Sequence, residues 1–202
     1  MYNAINSRYT YKNSDVLKNK LNIRNEEKLK EYETKMVAFK LTTIRKLNFN
    51  KTFDEKHLKF IHYYLFCDIY DFAGEYRLEN ITKENFLFSQ YQFIEQNIKD
   101  VMKKIDLDKF RKLSFEELLK EVSCIMTDLN VLHPFREGNG RATREFIREL
   151  FESLGYEINW YLIDYNDILD ASIKAVVDDK EQIELLRKSV KKYKKQAGDL
   201  SF

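Results

Sequence analysis

The stretch H-P-F-R-E-G-N-G-R-A-T-R, His133 to Arg144, decides how the rest of the chain is read. Upstream of it Leu118, Val122, Ile125, Leu129 and Leu132 recur at helical spacing, and downstream Phe146, Ile147, Leu150, Phe151 and Leu154 do the same. The stretch is therefore the loop of a helix-loop-helix. It holds two of the chain's five glycines and its single proline, which gathers the unusual backbone conformations at one point. The second helix is predicted to start near Gly140 or Arg141, with Arg141 and Arg144 in its first turn on one face. That end of a helix is the positive pole of its dipole, where a cation costs roughly 0.3–1 kcal/mol. A bound anion reverses the sign. Open main-chain N–H groups, a glycine loop and two guanidiniums together describe a polyphosphate site. Glu137 adds one carboxylate, and one carboxylate with substrate phosphates is the usual way of holding Mg²⁺, which keeps most of its waters. His133 ends the first helix, where an imidazole with an ordinary pKa of about 6.5 can take a proton from an attacking hydroxyl. Taken singly, Gly-Asn-Gly is an ordinary turn and His133 an ordinary helix cap; their coincidence with Glu137, Arg141 and Arg144 points to chemistry.

The same residues resemble the complete active-site motif of the Fic proteins, H-P-F-x-(D/E)-G-N-G-R-x-x-R, and match it at every fixed position. The resemblance implies an enzyme that moves the AMP part of ATP, with Mg²⁺, onto a Ser, Thr or Tyr hydroxyl of a target protein. By position it implies that His133 is the base, Glu137 the Mg²⁺ ligand and Phe135 the buried anchor of the loop. Asn139 with the N–H groups of Gly138 and Gly140 would hold the phosphates, Arg136 would join the nucleotide contacts, Arg141 would neutralise the departing pyrophosphate, and Arg144 would reach the terminal phosphate. The alternative, from a different class, is a catalytically silent module whose loop only binds nucleotide, and within the enzymes phosphotransfer or removal of AMP are the lesser alternatives. Intact His133 and Glu137 favour an enzyme, and unaltered Gly138 and Gly140 favour AMP transfer, because phosphate-transferring members depart from that glycine pattern.

Two further segments carry the resemblance. L-F-C-D-I-Y-D-F-A-G-E-Y-R, residues 65–77, is similar to the Fic segment before the flap, which implies a β-hairpin over 76–87 that docks a target through main-chain hydrogen bonds at Asn80, Ile81, Thr82 and Lys83, with Ile81 and Lys83 at its tip. Y-T-Y-K-N-S-D-V-L-K-N-K-L-N-I-R, residues 9–24, is similar to the lead-in of toxin-type members. Many Fic proteins carry their own brake, a helix with S/T-x-x-x-E-G/N. Here the one S/T-x-x-x-E match, Ser153 to Glu157, is interrupted by Gly155 and followed by Ile158. The resemblance therefore implies a toxin restrained by a separate small antitoxin that carries the motif, with a type II topoisomerase as the target class.

The expected fold is all-α, one domain over residues 1–202, with about eight helices around the helix-loop-helix and no strands outside 76–87. No Pro-, Gly- or Ser-rich linker divides the 202 residues, and a 44% hydrophobic fraction with 15 Phe and 13 Tyr suffices for a core. A net charge of +2, from 35 basic and 33 acidic residues, speaks against a general nucleic-acid or membrane-surface binder. Cys67 and Cys124 read as two reduced, buried thiols of a cytoplasmic protein, and the polar start M-Y-N-A-I-N-S-R has no signal-peptide core. Residues 1–24 are expected to form an arm with one short helix. Asn25 is predicted to cap a helix with Leu29, Tyr32, Met36, Phe39 and Ile44 on one side. Capping pairs are predicted at Thr52 with Glu55, Ser89 with Gln92, and Ser114 with Glu117. His57 and His62 lack ligand-spaced neighbours and read as surface or partly buried structural residues, Trp160 as a packing anchor beneath the motif helix, and 167–177 and 180–195 as closing helices.

Overall fold

The computed structural model describes residues 7–83 and 86–193, so the start of the arm, residues 84–85 of the hairpin and Lys194 and Lys195 of the last predicted helix lie outside them. In order the elements are α1 (Glu26–Ile44), α2 (Glu55–Phe66), β1 (Thr82–Lys83), β2 (Phe86–Leu87), a 3-10 turn (Tyr91–Phe93), α3 (Ile94–Met102), α4 (Leu107–Phe110), α5 (Phe115–Leu132), α6 (Asn139–Ser153), β3 (Tyr156–Ile158), a second 3-10 turn (Trp160–Leu162), α7 (Tyr165–Lys174), α8 (Lys180–Ser189) and β4 (Val190–Lys192). The fold is mostly helical, with eight helices among the described residues. These residues form two compact units, one reaching to Ile105 and including Asp128–Phe146, the other holding Asp106–Thr127 and the chain from Ile147 on. None of the described helices is long and apolar enough to cross a membrane.

In the first unit Asn25 caps α1 by accepting the Lys28 N–H at 2.9 Å. The buried stripe of α1 is Leu29, Glu33, Val37 and Ile44, and Phe39, expected on that side, is 62% exposed. The helix is turned because one inward position is a carboxylate, which a hydropathy pattern counts as outward. Asp54 caps α2 through the His57 N–H at 3.0 Å, and Thr52 donates to Asp54 at 2.6 Å in place of the cap predicted for it. A carboxylate next to the first turn accepts as well as a hydroxyl and adds a favourable charge for the dipole. Helix α2 buries Leu58, Ile61, Leu65 and Phe66, and His57 and His62 are buried with them, not at the surface. Ser89 does not cap α3; the 3-10 turn at 91–93 leads into that helix, and Ser89 accepts from Asn97 instead.

Residues 7–24 hold no helix. Asn13, at φ 56°, reverses the chain so that Tyr11 N–H reaches Val16 O at 3.0 Å and Lys18 N–H reaches Tyr9 O at 2.8 Å. Asn and Ser in K-N-S-D favour such a turn over a helix, because their side chains serve the main chain locally, as Ser14 does for the Val16 N–H at 3.1 Å. The arm docks on residues 69–79 through Lys20 N–H to Ile69 O at 2.8 Å and Leu78 N–H to the Tyr9 hydroxyl at 3.0 Å.

In the second unit the predicted Ser114–Glu117 capping box forms: the Ser114 N–H donates to Glu117 at 2.8 Å and the Glu117 N–H to Ser114 at 3.3 Å. Leu118, Val122, Ile125, Ile147, Leu150 and Phe151 make the core there. A second antiparallel sheet, β3 with β4, departs from the expectation of strands only at 76–87; its register pairs Tyr156 with Lys192 and Ile158 with Val190. Helix α8 therefore ends at Ser189, where the K-S-V-K-K sequence carries too few apolar residues to hold a further turn against the core, and Val190 pairs with Ile158 instead. Trp160 is half-buried and lies with Met126, Ile168 and Leu186. Cys124 is exposed and Cys67 half-buried, so neither is the buried thiol expected.

Arg77 ties the first unit together. Its side chain is buried, and it donates to the carbonyls of His133 at 2.8 Å, Glu79 at 2.7 Å, Leu132 at 3.3 Å and Ser89, while its own N–H reaches Pro134 O at 2.9 Å. It satisfies the last carbonyls of α5 and clasps both ends of the β1–β2 hairpin. Arg77→Met should lower unfolding stability by at least about 3 kcal/mol, since several buried carbonyls lose their donors, and Arg77→Lys should not restore it, an ammonium being too compact to span them. Chemical denaturation measures this, and a loss below about 1 kcal/mol for either variant would contradict the assignment.

Candidate active site

Helix α5 ends one residue before His133, which takes a left-handed conformation at φ 49° while its N–H still donates to Leu129 O at 3.0 Å. Its Nδ1 lies 3.1 Å from the Asn130 carbonyl. A carbonyl only accepts, so Nδ1 carries the hydrogen and Nε2 the lone pair. The ring is buried and stacked on Phe88 with centroids 3.9 Å apart. Burial pushes its pKa down to about 3, the Asn130 contact opposing and the charges of Arg77 and Lys83 adding to the shift. His133 is thus a neutral imidazole of fixed tautomer.

The loop owes its shape to a clasp: the Asn139 amide accepts from the Phe135 N–H and donates to the Phe135 carbonyl, both at 2.8 Å. Phe135 is buried and stacks on His62, ring centroids 3.8 Å apart. His62 in turn accepts the Gly74 N–H at Nδ1, at 2.8 Å, and donates from Nε2 to the Glu137 carbonyl at 2.9 Å. Its tautomer is the opposite of that of His133, and burial likewise pushes its pKa down to about 3. Gly138, at φ 80°, lies against the Phe66 ring; a Cβ there would come within 2.3 Å of it, so no other residue fits. Its carbonyl opens α6 by accepting the Arg141 and Ala142 N–H groups, each at 3.1 Å.

The charged side chains gather at the start of α6. Glu137 accepts the Gly138 N–H through Oε1 at 2.9 Å and faces Arg141 Nη2 at 3.4 Å. Burial raises its pKa while Arg141 pulls it down, the net direction being upward. Arg141 Nη1 meets Glu33 at 2.6 Å, and its guanidinium lies 4.8 Å over the Phe66 ring. Arg144 folds back along the first turn, its Nη1 3.2 Å from where a Gly140 Cβ would stand, so the bare glycine makes room for it. Arg136 and the Asn139 amide are turned to the protein, Arg136 to Glu79 at 2.8 Å, where the sequence reading has both on the nucleotide. The hairpin pairs Thr82 with Leu87 and Lys83 with Phe86, and Ile81 is fully buried at its base, not at its tip. Among the described residues no group of three His, Cys, Asp or Glu side chains could hold a metal by itself. Glu137, with an oxygen beyond its Gly138 contact, fits an ion brought in on phosphates.

A family model described as Fic/DOC matches residues 52–151. The Probable protein adenylyltransferase Fic of Escherichia coli K12 is 32% identical over 160 residues, which are 77% of this chain and 78% of that protein. The chain belongs to the Fic/DOC family. The Protein adenylyltransferase VbhT of Bartonella schoenbuchensis is 34% identical over 175 residues, 86% of this chain, which spans only 37% of that protein's length. Among solved structures, the BepC protein of Bartonella tribocorum with bound AMPPNP is similar at a TM-score of 0.84 and 25% identity, over 92% of this chain and 97% of that one. The N-terminal Fic domain of a Bartonella quintana effector with bound ADP is similar at 0.84 and 28%, over 92% and 95%.

Within this Fic/DOC site, sequence reasoning missed Arg77, Glu79, His62, Tyr70 and Glu33, which hold the loop and its arginines from α1, α2 and the hairpin approach. The quoted segment 65–77 contains Tyr70 and Arg77, so aromatic and basic residues crowded before the flap were the available signal; Glu33 offered none. His62 and His133 predict the acid response. Both are neutral when folded and would take a proton below about pH 6.5 when unfolded, so their contribution is complete above that pH and is lost as pH falls toward 3. Unfolding free energies from denaturant titrations at pH 7 and 5.5 should differ by about 2 kcal/mol through the two histidines, the upward shift of Glu137 opposing them. A flat profile across that window would contradict the two neutral assignments.

Proposed function

We propose that the chain is a protein adenylyltransferase that moves AMP from ATP to a Ser, Thr or Tyr hydroxyl of a target protein. The observation that carries the reading is the fixed tautomer of His133, whose Nε2 lone pair belongs to a base, beside a helix start that carries Glu137, Arg141 and Arg144. A binding module needs no such base. The names of the relatives and the nucleotides in the similar structures support the same reading.

In the proposed reaction the target hydroxyl oxygen attacks the α-phosphorus, its proton passes to His133 Nε2, and the bond to the bridging oxygen breaks to release pyrophosphate. The first-turn N–H groups of α6 and Arg144 receive the phosphates, and Arg141 balances charge on the leaving group. Glu137 with the phosphates would hold Mg²⁺, which would supply charge neutralisation. Thr82 and Lys83 of β1 offer main-chain groups for a target segment laid along the hairpin. We further propose that the chain is a toxin silenced by a separate small antitoxin bearing S/T-x-x-x-E-G/N, with a type II topoisomerase as its target. The incomplete match in this chain supports that arrangement, since Glu157 falls on β3 and not on a helix.

His133→Ala should lower transfer about 10²–10⁴-fold while ATP affinity stays within a few-fold of wild type. Intact-mass spectrometry of a modified target beside calorimetric titration separates the two, and a matching loss of affinity would refute the role of base. Nucleotide binding should also show in stability: at about 100 times its dissociation constant, ATP adds roughly 2.7 kcal/mol. Arg144→Ala should lose most of the ATP-induced rise in melting temperature; retention of the full shift would place the terminal phosphate elsewhere.

A further inference from the structure

Glu33 stands in the middle of α1, in an otherwise apolar stripe with Leu29, Val37 and Ile44, and its side chain is 10% exposed. One of its oxygens meets Arg141 Nη1 at 2.6 Å and the other accepts the hydroxyl of Tyr70. The Tyr70 phenol is pushed well up by burial and by the Glu33 charge, so it remains a donor at every physiological pH. The arrangement is poorly explained as a stabiliser of the core, because an apolar pair of similar volume commonly serves as well as a buried ion pair.

Its effect falls on Arg141. Arg141 is bound on one edge by Glu33, on one face by Phe66, and only loosely, at 3.4 Å, by Glu137. A long side chain that would otherwise sample many rotamers is held in one. Phosphoryl-transfer sites elsewhere use a carboxylate on a neighbouring helix to aim a cation at the phosphates in this way.

We propose that Glu33, pinned by Tyr70, is a positioning residue that holds Arg141 ready for the β- and γ-phosphates of ATP and keeps its guanidinium from closing on Glu137. The inference rests on the adenylyltransferase reading. Glu33 touches no reacting atom; it acts through Arg141.

The test uses the full chain in calorimetric titrations with ATP and with AMP, metal chelated, so that no transfer is required. Glu33→Gln should weaken ATP about tenfold or more, in the range usual for residues that orient a binding side chain, and leave AMP within about twofold, since AMP lacks the two outer phosphates. In an Arg141→Ala background the same substitution should add nothing, because the residue it orients is gone. Tyr70→Phe, which keeps the ion pair, should weaken ATP in the same direction by less, and it carries the test should Glu33→Gln fail to fold. Equal weakening of ATP and AMP would mark a merely structural role, and unchanged or tighter ATP binding would mark Glu33 as a bystander or a brake; each overturns the proposal. A wild-type chain that binds no ATP sinks the function reading itself, whereas ATP binding that ignores Glu33 and Tyr70 sinks only this inference.

Discussion

Four main-chain carbonyls converge on the buried guanidinium of Arg77, and the placement of the 133–144 loop follows from that convergence. Two of the carbonyls, of Leu132 and His133, end α5, and the other two, of Glu79 and Ser89, bound the hairpin. One planar cation thus sets where the helix stops and where the hairpin begins. No other side chain could do so: the fork supplies five donors at fixed angles, whereas water molecules in the same place would each have to be ordered separately. Because the Ser89 carbonyl is fixed, Phe88 before it is fixed too, and its ring makes the wall on which His133 stacks.

The charges around the loop follow a related logic. Arg136 is matched to Glu79, and Arg141 to Glu33 and Glu137. Each guanidinium is held by its carboxylate in one partly desolvated orientation, so little of its rotamer freedom remains. The two histidines divide the remaining work. His62 has both ring nitrogens engaged by main chain and acts as a brace, while the contact of His133 Nδ1 with main chain sets its tautomer.

What could be read in the sequence was what chain neighbours decide. The helices flanking 133–144, the start of α6 and the Ser114–Glu117 box depend on spacing over a few residues, and each was legible for that reason. The resemblance at the motif implied roles for His133, Glu137, Arg141 and Arg144; of these, Glu137 and Arg141 lie side by side and Arg144 lies against Gly140 at the start of α6. What was illegible depends on partners distant in sequence. The inward turn of α1 is set by Glu33 finding Arg141, the β3–β4 sheet by Ile158 finding Val190, and the extended arm by Tyr9 finding Leu78. The Thr52 cap failed more narrowly, because Asp54 stood two residues closer to the helix.

The clasp of Asn139 on Phe135 has a consequence for how the site forms. Its two hydrogen bonds join residues four positions apart, so the shape of the loop can arise early, with almost no chain to close. Its orientation depends on Arg77 and Glu33, which must close far longer loops to reach it, 56 residues for Arg77 and His133, and incur the entropy of those closures. Shape and aim are therefore separable in time. A partly folded chain would hold a well-formed loop pointed nowhere in particular, and the site would be complete only when the long-range contacts fasten it in place.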